Sequence, residues 1–143
     1  MYSCKQLFQA LEGGQCDAPL TAVYTAGGLD QAKSRALHVA KDLSDAYSPR
    51  DDAPAALFSG PGRTELGGNH TDHQRGRVLC ASVDMDMLAC AAPNGRNVIR
   101  IRSEGYPALE VDLTDLNPRP EEANTSAALV RGVAAGIVQR GCS

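Results

Sequence analysis

Residues 59–73 read Ser-Gly-Pro-Gly-Arg-Thr-Glu-Leu-Gly-Gly-Asn-His-Thr-Asp-His, and this stretch constrains the fold more than any other in the chain. Four glycines and a proline interrupt regular backbone structure, while a guanidinium, an amide, two carboxylates and two imidazoles lie close together in the sequence. Polar groups in such number cannot all find partners inside a small domain, so burying them would be costly. The composition therefore predicts an exposed, glycine-rich loop.

The side chains of this loop suit a ligand that carries many hydroxyl groups. Arg63 offers a planar fork of donors, Asp72 accepts from two hydroxyls, and Asn69 can do both. His70 adds one donor and one acceptor, depending on its tautomer. A misplaced hydroxyl would leave a buried group unpaired at a cost of about 1–3 kcal/mol. An ordinary surface loop would need only the glycines, so we predict that this one binds a sugar.

The overall composition is that of a globular chain, which we interpret as a single domain at residues 1–143. Hydrophobic residues make up 43% and charged residues 22%. The net charge is −3 and no basic stripe occurs, so we predict no nucleic-acid partner. No apolar run reaches membrane-spanning length, and residues 1–16 are too polar for a signal peptide. We therefore predict no membrane partner.

The cysteines indicate a reducing compartment. They are five in number and scattered, with no Cys-x-x-Cys pair, which argues against a disulfide framework and against a zinc ribbon. We therefore expect a cytoplasmic protein. Cys80 and Cys90 lie among apolar residues, so we expect them to be small core residues.

Three segments show the apolar spacing of amphipathic helices. The first ends in a glycine stop and is followed by a polar linker, and the second has an N-cap aspartate and ends before a proline. They are residues 3–12, which end at Gly13-Gly14, residues 30–47, which begin at Asp30 and end before Pro49, and a last helix from Thr125 to Gly141.

Strands are predicted on either side of the loop. Residues 55–58 form a short strand that leads into it, and beyond it Val83, Met85, Met87 and Ala89 alternate with polar residues. Two turns, at Asn94-Gly95 and at residues 104–107, divide residues 82–113 into a three-stranded antiparallel meander with one solvated face. This order of elements predicts an α+β fold, with helices on one face of an antiparallel or mixed sheet.

A metal site is an alternative interpretation of the same loop. His70 and His73 are three residues apart with Asp72 between them, a pattern that zinc or iron could use. A complete site needs another ligand, and we expect the one further imidazole, His38, to be a solvated or partly buried helix residue. We therefore rank metal binding below sugar binding and predict no metal site.

Asp84 and Asp86 form a second acidic feature, two residues apart on one face of a predicted strand. Paired carboxylates can serve acid–base chemistry. We interpret them instead as a solvated strand edge or as a cap for nearby positive charge.

Residues 61–73, Pro-Gly-Arg-Thr-Glu-Leu-Gly-Gly-Asn-His-Thr-Asp-His, resemble without a gap the galactokinase signature Pro-Gly-Arg-Val-Asn-Leu-Ile-Gly-Glu-His-Thr-Asp-Tyr. The similarity continues through residues 76–79 and resumes at residues 129–133, Leu-Val-Arg-Gly-Val, which look like the family's Tyr-Val-Lys-Gly-Val. It covers about half the chain; residues 1–54 fit as a helical lead-in by position alone. Galactokinases share a superfamily with homoserine, mevalonate and phosphomevalonate kinases. The resemblance implies their N-terminal, sugar-binding fold, with residues 55–143 supplying the signature loop, the meander and the final helix.

The resemblance also implies a role for each matching residue. Arg63 would be catalytic, near the anomeric hydroxyl of the sugar, and would contact the substrate together with Asn69, His70 and Asp72, which would hold the galactose hydroxyls. The implied reaction is phosphorylation of the anomeric oxygen by ATP with Mg²⁺, in which catalysis is mainly positioning and electrostatic stabilisation.

Four residues depart from the family's signature. Glu65 replaces an asparagine, Gly67 an isoleucine, Asn69 a glutamate and His73 a tyrosine. Asn69 keeps hydrogen-bonding capacity without the charge, and Gly67 gives up packing under the loop. The departures imply a diverged branch, so the substrate could be galactose or a related hexose.

The family's phosphate loop, Gly-Leu-Ser-Ser-Ser-Ala, does not occur in the 143 residues. We therefore expect the N-terminal part of a longer kinase, inactive alone, which binds no ATP or Mg²⁺ by itself. It would self-associate through apolar surface that the remainder normally covers. The alternative is a non-catalytic sugar-binding or sensor protein of the same fold.

Overall fold

The chain has the α+β architecture that its sequence predicts. The computed structural model describes residues 2–50, 52–68 and 72–141, with Asp72 described in its backbone alone. The chain divides after Pro93 into two compact units, called here the first and the second unit. The single domain expected from the sequence stays a prediction.

Three helices form one layer of the first unit. Ser3 caps the first of them, because its Oγ accepts from the Gln6 amide at 3.2 Å while Gln6 Oε1 accepts from the Ser3 amide at 3.0 Å. This reciprocal pair satisfies two amides that the start of a helix leaves without partners. The helix predicted at residues 3–12 is thereby confirmed. The three are α1 (Cys4–Glu12), α2 (Asp17–Tyr24) and α3 (Leu29–Tyr47).

Helix α2 replaces the predicted polar linker, so that prediction was wrong. Leu20 is buried, and Asp17 forms an ion pair with Lys33 of α3 at 3.1 Å. Pro19 does not prevent the helix because it lies in the first turn, where amides have no helical partner to lose.

The long helix α3 confirms the predicted apolar stripe. Ala32 and Ala36 are buried against the core, and their small side chains let α3 approach α1 closely. The helix begins one residue before Asp30, with Gly28 at the cap position. Asp30 therefore lies in the first turn, where a carboxylate interacts favourably with the helix dipole.

The signature lies on a strand for half its length, which corrects the predicted loop at residues 59–73. The strands β1 (Tyr2–Ser3), β2 (Pro54–Gly67) and β3 (Leu79–Ala91) pair antiparallel in that order. Polarity did not argue against a strand here, because most side chains of residues 59–67 are exposed on the sheet rather than buried. Only residues 68–78 connect the two long strands.

A bulge in β3 explains one of the glycines. Pro61 pairs with Asp86 and Arg63 pairs with Ser82, so Gly62 faces three residues of β3. A Cβ on Gly62 would lie 2.9 Å from Val83 Cγ2. Glycine therefore fits the close approach of the strands at the bulge, whereas a larger residue would require Val83 or the strands to shift.

From Met85 onward, the two faces of β3 are inverted relative to the prediction, whereas Val83 is half-buried between the exposed Ser82 and Asp84, as predicted. Met85 and Met87, expected on the inner face, are 74% and 79% exposed. The Asp86 side chain is 7% exposed, and Leu88 packs on the core below α1 and α3. The helices lie on one face of the sheet, as predicted, but this face carries Asp86 and not the two methionines.

The two cysteines of this strand differ. Cys90 packs against the core, and burial raises the pKa of its thiol to about 11, so it behaves as a small apolar residue. Cys80 is exposed, so its prediction as a core residue was wrong.

The second unit contains one hairpin and one helix: β4 (Val98–Ile101), β5 (Leu109–Asp112) and α4 (Ser126–Gln139). The turn predicted at residues 104–107 joins β4 to β5, and Thr125 caps α4, which confirms both features. Asn94-Gly95 makes no hairpin. Asn94 Oδ1 accepts from the Arg96 amide at 2.8 Å, and its Nδ2 donates to the Val98 carbonyl, which closes a local side-chain turn instead.

The three-stranded meander was therefore wrong, since β3 pairs with β2 and β4 with β5. All ladders between the described strands are antiparallel, so the antiparallel alternative holds and the mixed one does not.

A buried arginine holds the second unit together. Arg131 of α4 is 3% exposed and forms two hydrogen bonds with Glu122, at 2.7 and 2.8 Å. It also donates to the backbone carbonyls of Asp112, the last residue of β5, and of Asp115, in the loop between β5 and the helix. The ion pair lowers the pKa of Glu122 through the hydrogen bond from Arg131. The guanidinium of Arg131 thus connects the β4–β5 hairpin, the loop that follows it and α4.

Large apolar side chains remain exposed in both units, among them Phe58 at 59%, Leu129 at 69% and Val133 at 56%. Self-association through such surface stays a prediction. In the described part of the chain, no helix has both the length and the apolar character needed to cross a membrane.

We expect Gly68→Ala to lower the free energy of unfolding by about 1–3 kcal/mol. Gly68 has a φ of +117°, and an added Cβ would lie 2.6 Å from the carbonyl oxygen of Arg77. Gly67→Ala is the matched control, since nothing lies within 4 Å of its Cβ. Urea unfolding followed by circular dichroism measures both; equal stability of the two variants would contradict the close approach.

Candidate functional site

The structure describes the side chain of one of the four predicted sugar-binding residues. Arg63 lies on β2 opposite Ser82, and its side chain is exposed. Asp72 begins a short 3-10 turn, Asp72–Gln74, and its side chain is outside the description. Asn69 and His70 lie outside the described residues. The convergence of these four groups on one ligand therefore stays a prediction.

The connection that carries three of these residues is anchored at both ends. Gly67 pairs with Leu79, and the backbone of Gly68 lies against Arg77 and Val78. The loop therefore leaves the hairpin at the end beyond Arg63 and returns to the same end.

The alternative metal site falls partly outside the description, because it requires His70. His73 is exposed, and His38 is exposed and faces Asp42 across 3.5 Å, so the prediction of a solvated helix histidine is confirmed. Among the residues described, no three histidine, cysteine or acidic side chains are grouped as metal ligands.

A cavity of about 470 Å³ lies between the helical layer and the β2–β3 pair. Its walls come from α2, from α3 and from both strands at the bulge, and they include Pro61, the first residue of the signature motif. Its polar lining residues are Tyr24, Gln31, Arg35, Ser59, Asp84 and Asp86.

Asp86 is the most heavily bonded side chain of this cavity. Tyr24 donates its hydroxyl to Asp86 Oδ2, and Ser59 Oγ donates to the same oxygen at 2.6 Å. Arg35 Nη1 lies 2.7 Å from Asp86 Oδ1, and Arg35 Nη2 donates to the Asp86 backbone carbonyl at 3.2 Å. One carboxylate thereby connects α2, α3, β2 and β3.

The electrostatics follow from these contacts. Burial raises the pKa of Asp86, but the hydrogen bonds from Ser59, Tyr24 and Arg35 outweigh it and hold the pKa below its ordinary value of 3.8. Burial and the bond to Asp86 raise the pKa of the Tyr24 phenol. The guanidinium of Arg35 also lies over the Tyr24 ring, 5.9 Å from its centre.

The sequence analysis located only part of this cluster. Of its two interpretations of Asp86, the cap for positive charge is confirmed and the solvated strand edge is wrong. Tyr24 and Arg35 were missed, because they lie 62 and 51 residues from Asp86 and no local spacing connects them. The one indication of this cluster in the sequence was the pair Asp84 and Asp86 within an otherwise largely apolar strand.

Comparison with known proteins bears on the same segment. A family model for the galactokinase galactose-binding signature matches residues 45–93, about a third of the chain. The match includes the end of α3 and all of β2, the connecting loop and β3. The match confirms the resemblance within this segment and supports a galactokinase-type N-terminal region. No solved structure significantly matches the chain.

We expect Asp86→Asn to lower the free energy of unfolding at neutral pH by about 1–3 kcal/mol, because the variant loses charge-assisted hydrogen bonds. The folded-state pKa of Asp86 is depressed, so its contribution is present above the unfolded value near 3.8 and is lost as pH falls through the folded value.

The stability difference between wild type and Asp86→Asn should therefore be constant from pH 7 to about pH 5 and shrink in stronger acid. Asp84→Asn is the matched control, because Asp84 lies two residues away and is exposed. Urea unfolding across pH measures the difference. A difference that persists unchanged well below the folded-state pKa would contradict the role of the carboxylate.

Proposed function

We propose that this chain is the sugar-binding part of a galactokinase-like enzyme, which phosphorylates galactose or a related hexose at its anomeric hydroxyl with Mg²⁺ and ATP. The observation that carries the proposal is the galactose-binding signature at residues 45–93, which includes Arg63, Asn69, His70 and Asp72. The exposed position of Arg63 near the loop end of the hairpin supports it, since this side chain is accessible to a ligand.

In this proposal Arg63 has a catalytic role. Its guanidinium is positively charged and can stabilise the negative charge that develops during phosphoryl transfer. Asn69, His70 and Asp72 bind the sugar hydroxyls and fix the orientation of the anomeric oxygen. ATP and Mg²⁺ belong to the longer enzyme, which we place in the cytoplasm.

The second candidate is a sugar-binding or sensor protein without catalysis. The substitution of the signature glutamate by Asn69 favours it, because the loss of a charge leaves hydrogen bonding intact while it alters the electrostatics near the sugar. Sugar binding is common to both candidates, and phosphoryl transfer separates them.

We expect Arg63→Ala and Asp72→Ala each to weaken galactose binding by at least about tenfold, since each removes charged hydrogen-bonding partners of the sugar. Isothermal titration calorimetry with galactose, and with glucose as the comparison sugar, measures the effect. Arg96→Ala is the matched control, because Arg96 is an exposed arginine in a turn of the second unit. Unchanged galactose affinity in Asp72→Ala would refute the assignment.

We expect the 143-residue chain to form no sugar phosphate from ATP, Mg²⁺ and galactose, because its sequence contains no phosphate loop of the family type. An assay of sugar 1-phosphate, with a protein-free blank, tests this. Turnover that disappears in Arg63→Ala would show that the chain is catalytic by itself and would contradict the expectation.

A further inference from the structure

The cavity between α2, α3 and the β2–β3 pair shares Pro61 with the signature motif, but its other described lining residues lie outside residues 61–73. Its volume of about 470 Å³ lies within the range that small-molecule sites occupy. Arg63 lies two residues beyond Pro61 on β2 and does not line it. The cavity therefore needs its own explanation.

One wall of the cavity is a guanidinium held in a fixed orientation. Arg35 is bound to the carboxylate and to the backbone carbonyl of Asp86 and lies over the ring of Tyr24. Its side chain is nevertheless 39% exposed. Of its five donor N–H groups, those not directed to Asp86 are available to a ligand, and little rotamer entropy is lost on binding because the group is already ordered.

Two further polar side chains face the same space. Gln31 precedes Arg35 by one helical turn, which places the two on one face of α3, and Asp84 precedes Asp86 by two residues on β3. Both are exposed. Gln31 supplies a donor and an acceptor, and Asp84 supplies acceptors for a pair of hydroxyls.

The charge balance selects the class of ligand. Asp86 neutralises Arg35, and the remaining charge among the lining residues is the carboxylate of Asp84. An anion such as a phosphate would meet a net negative wall. Val23, Pro61 and Met85 provide apolar surface against which the C–H face of a sugar ring can pack. Donors, acceptors and apolar surface in this combination suit a neutral, polyhydroxylated molecule.

We propose that this cavity is a second carbohydrate-binding pocket, in which Arg35, Gln31 and Asp84 bind the hydroxyl groups of a neutral monosaccharide or disaccharide. Asp86 and Tyr24 position Arg35 and do not contact the sugar. Arg63 does not line the pocket, so we propose it as a site in addition to the one that contains Arg63.

The test uses the ¹⁵N-labelled 143-residue chain in separate NMR titrations with galactose, lactose and inorganic phosphate. We expect at least one of the two sugars to shift the amide signals of Gln31, Asp84 and Met85 in a saturable manner, and phosphate to leave them unchanged. Sugar titrations in which these signals do not move, or a larger response to phosphate, would overturn the proposal.

Variants then separate this pocket from the signature site. Asp84→Asn and Gln31→Ala should each weaken the response at the cavity amides by about tenfold and leave the response near Arg63 unchanged, while Arg63→Ala should do the reverse. Asp30→Asn is the matched control, since Asp30 is an exposed carboxylate of α3 that does not line the cavity.

Because Asp84 and Gln31 are exposed, their variants are expected to fold, and equal urea midpoints verify this. Full sugar affinity at the cavity in Asp84→Asn would overturn the proposal. If the cavity amides respond to sugar but the signals near Arg63 do not, the proposed function is refuted and the proposal for the cavity stands.

Discussion

The first unit depends on a single buried carboxylate. Removing a charge from water is costly, and it is tolerated only where partners replace the lost hydration. Asp86 has three side-chain partners, from α2, α3 and β2, and each of them would be left without its partner if the aspartate were absent. The apolar core below the helices consists largely of alanines and a few leucines. Polar bonding thus supplies much of the specificity that larger apolar residues supply in other small domains.

The second unit uses the same principle with the charges reversed. A buried guanidinium, Arg131, has Glu122 and two carbonyl oxygens as partners, and Val111 is the one large apolar residue that is almost completely buried there, among the residues described. Each unit therefore has a charged group at its centre that selects one arrangement of its helices and strands. Such centres give specificity more reliably than they give stability, because desolvation offsets most of the attraction.

The sequence predicted those elements whose signal is local. Helices α1, α3 and α4 have a regular apolar stripe with a cap or stop residue, and all three formed where expected. The β3 prediction failed from Met85 onward, because alternation shows that a strand has two different faces but does not show which face is inside. The apolar methionines favoured their own face as the buried one. Partners of Asp86 that are distant in sequence, such as Tyr24, instead place Asp86 on the buried face. The thirteen-residue motif identified the signature without structure, whereas the cavity required the fold to bring α2 and α3 onto β3.

The bulge opposite Gly62 has a consequence for which side chains of β3 are exposed. β3 contains two more residues than β2 between the pairs Pro61–Asp86 and Arg63–Ser82. The exposure of β3 changes phase at the same place: Ala81 and Val83 are half-buried on one side of it, whereas Asp86, Leu88 and Cys90 are the less exposed residues on the other. Side chains of a regular strand alternate with a period of two, so one uninterrupted alternation cannot account for both sets. The bulge therefore divides β3 into two halves, and the alternation of one half does not predict which residues of the other are exposed.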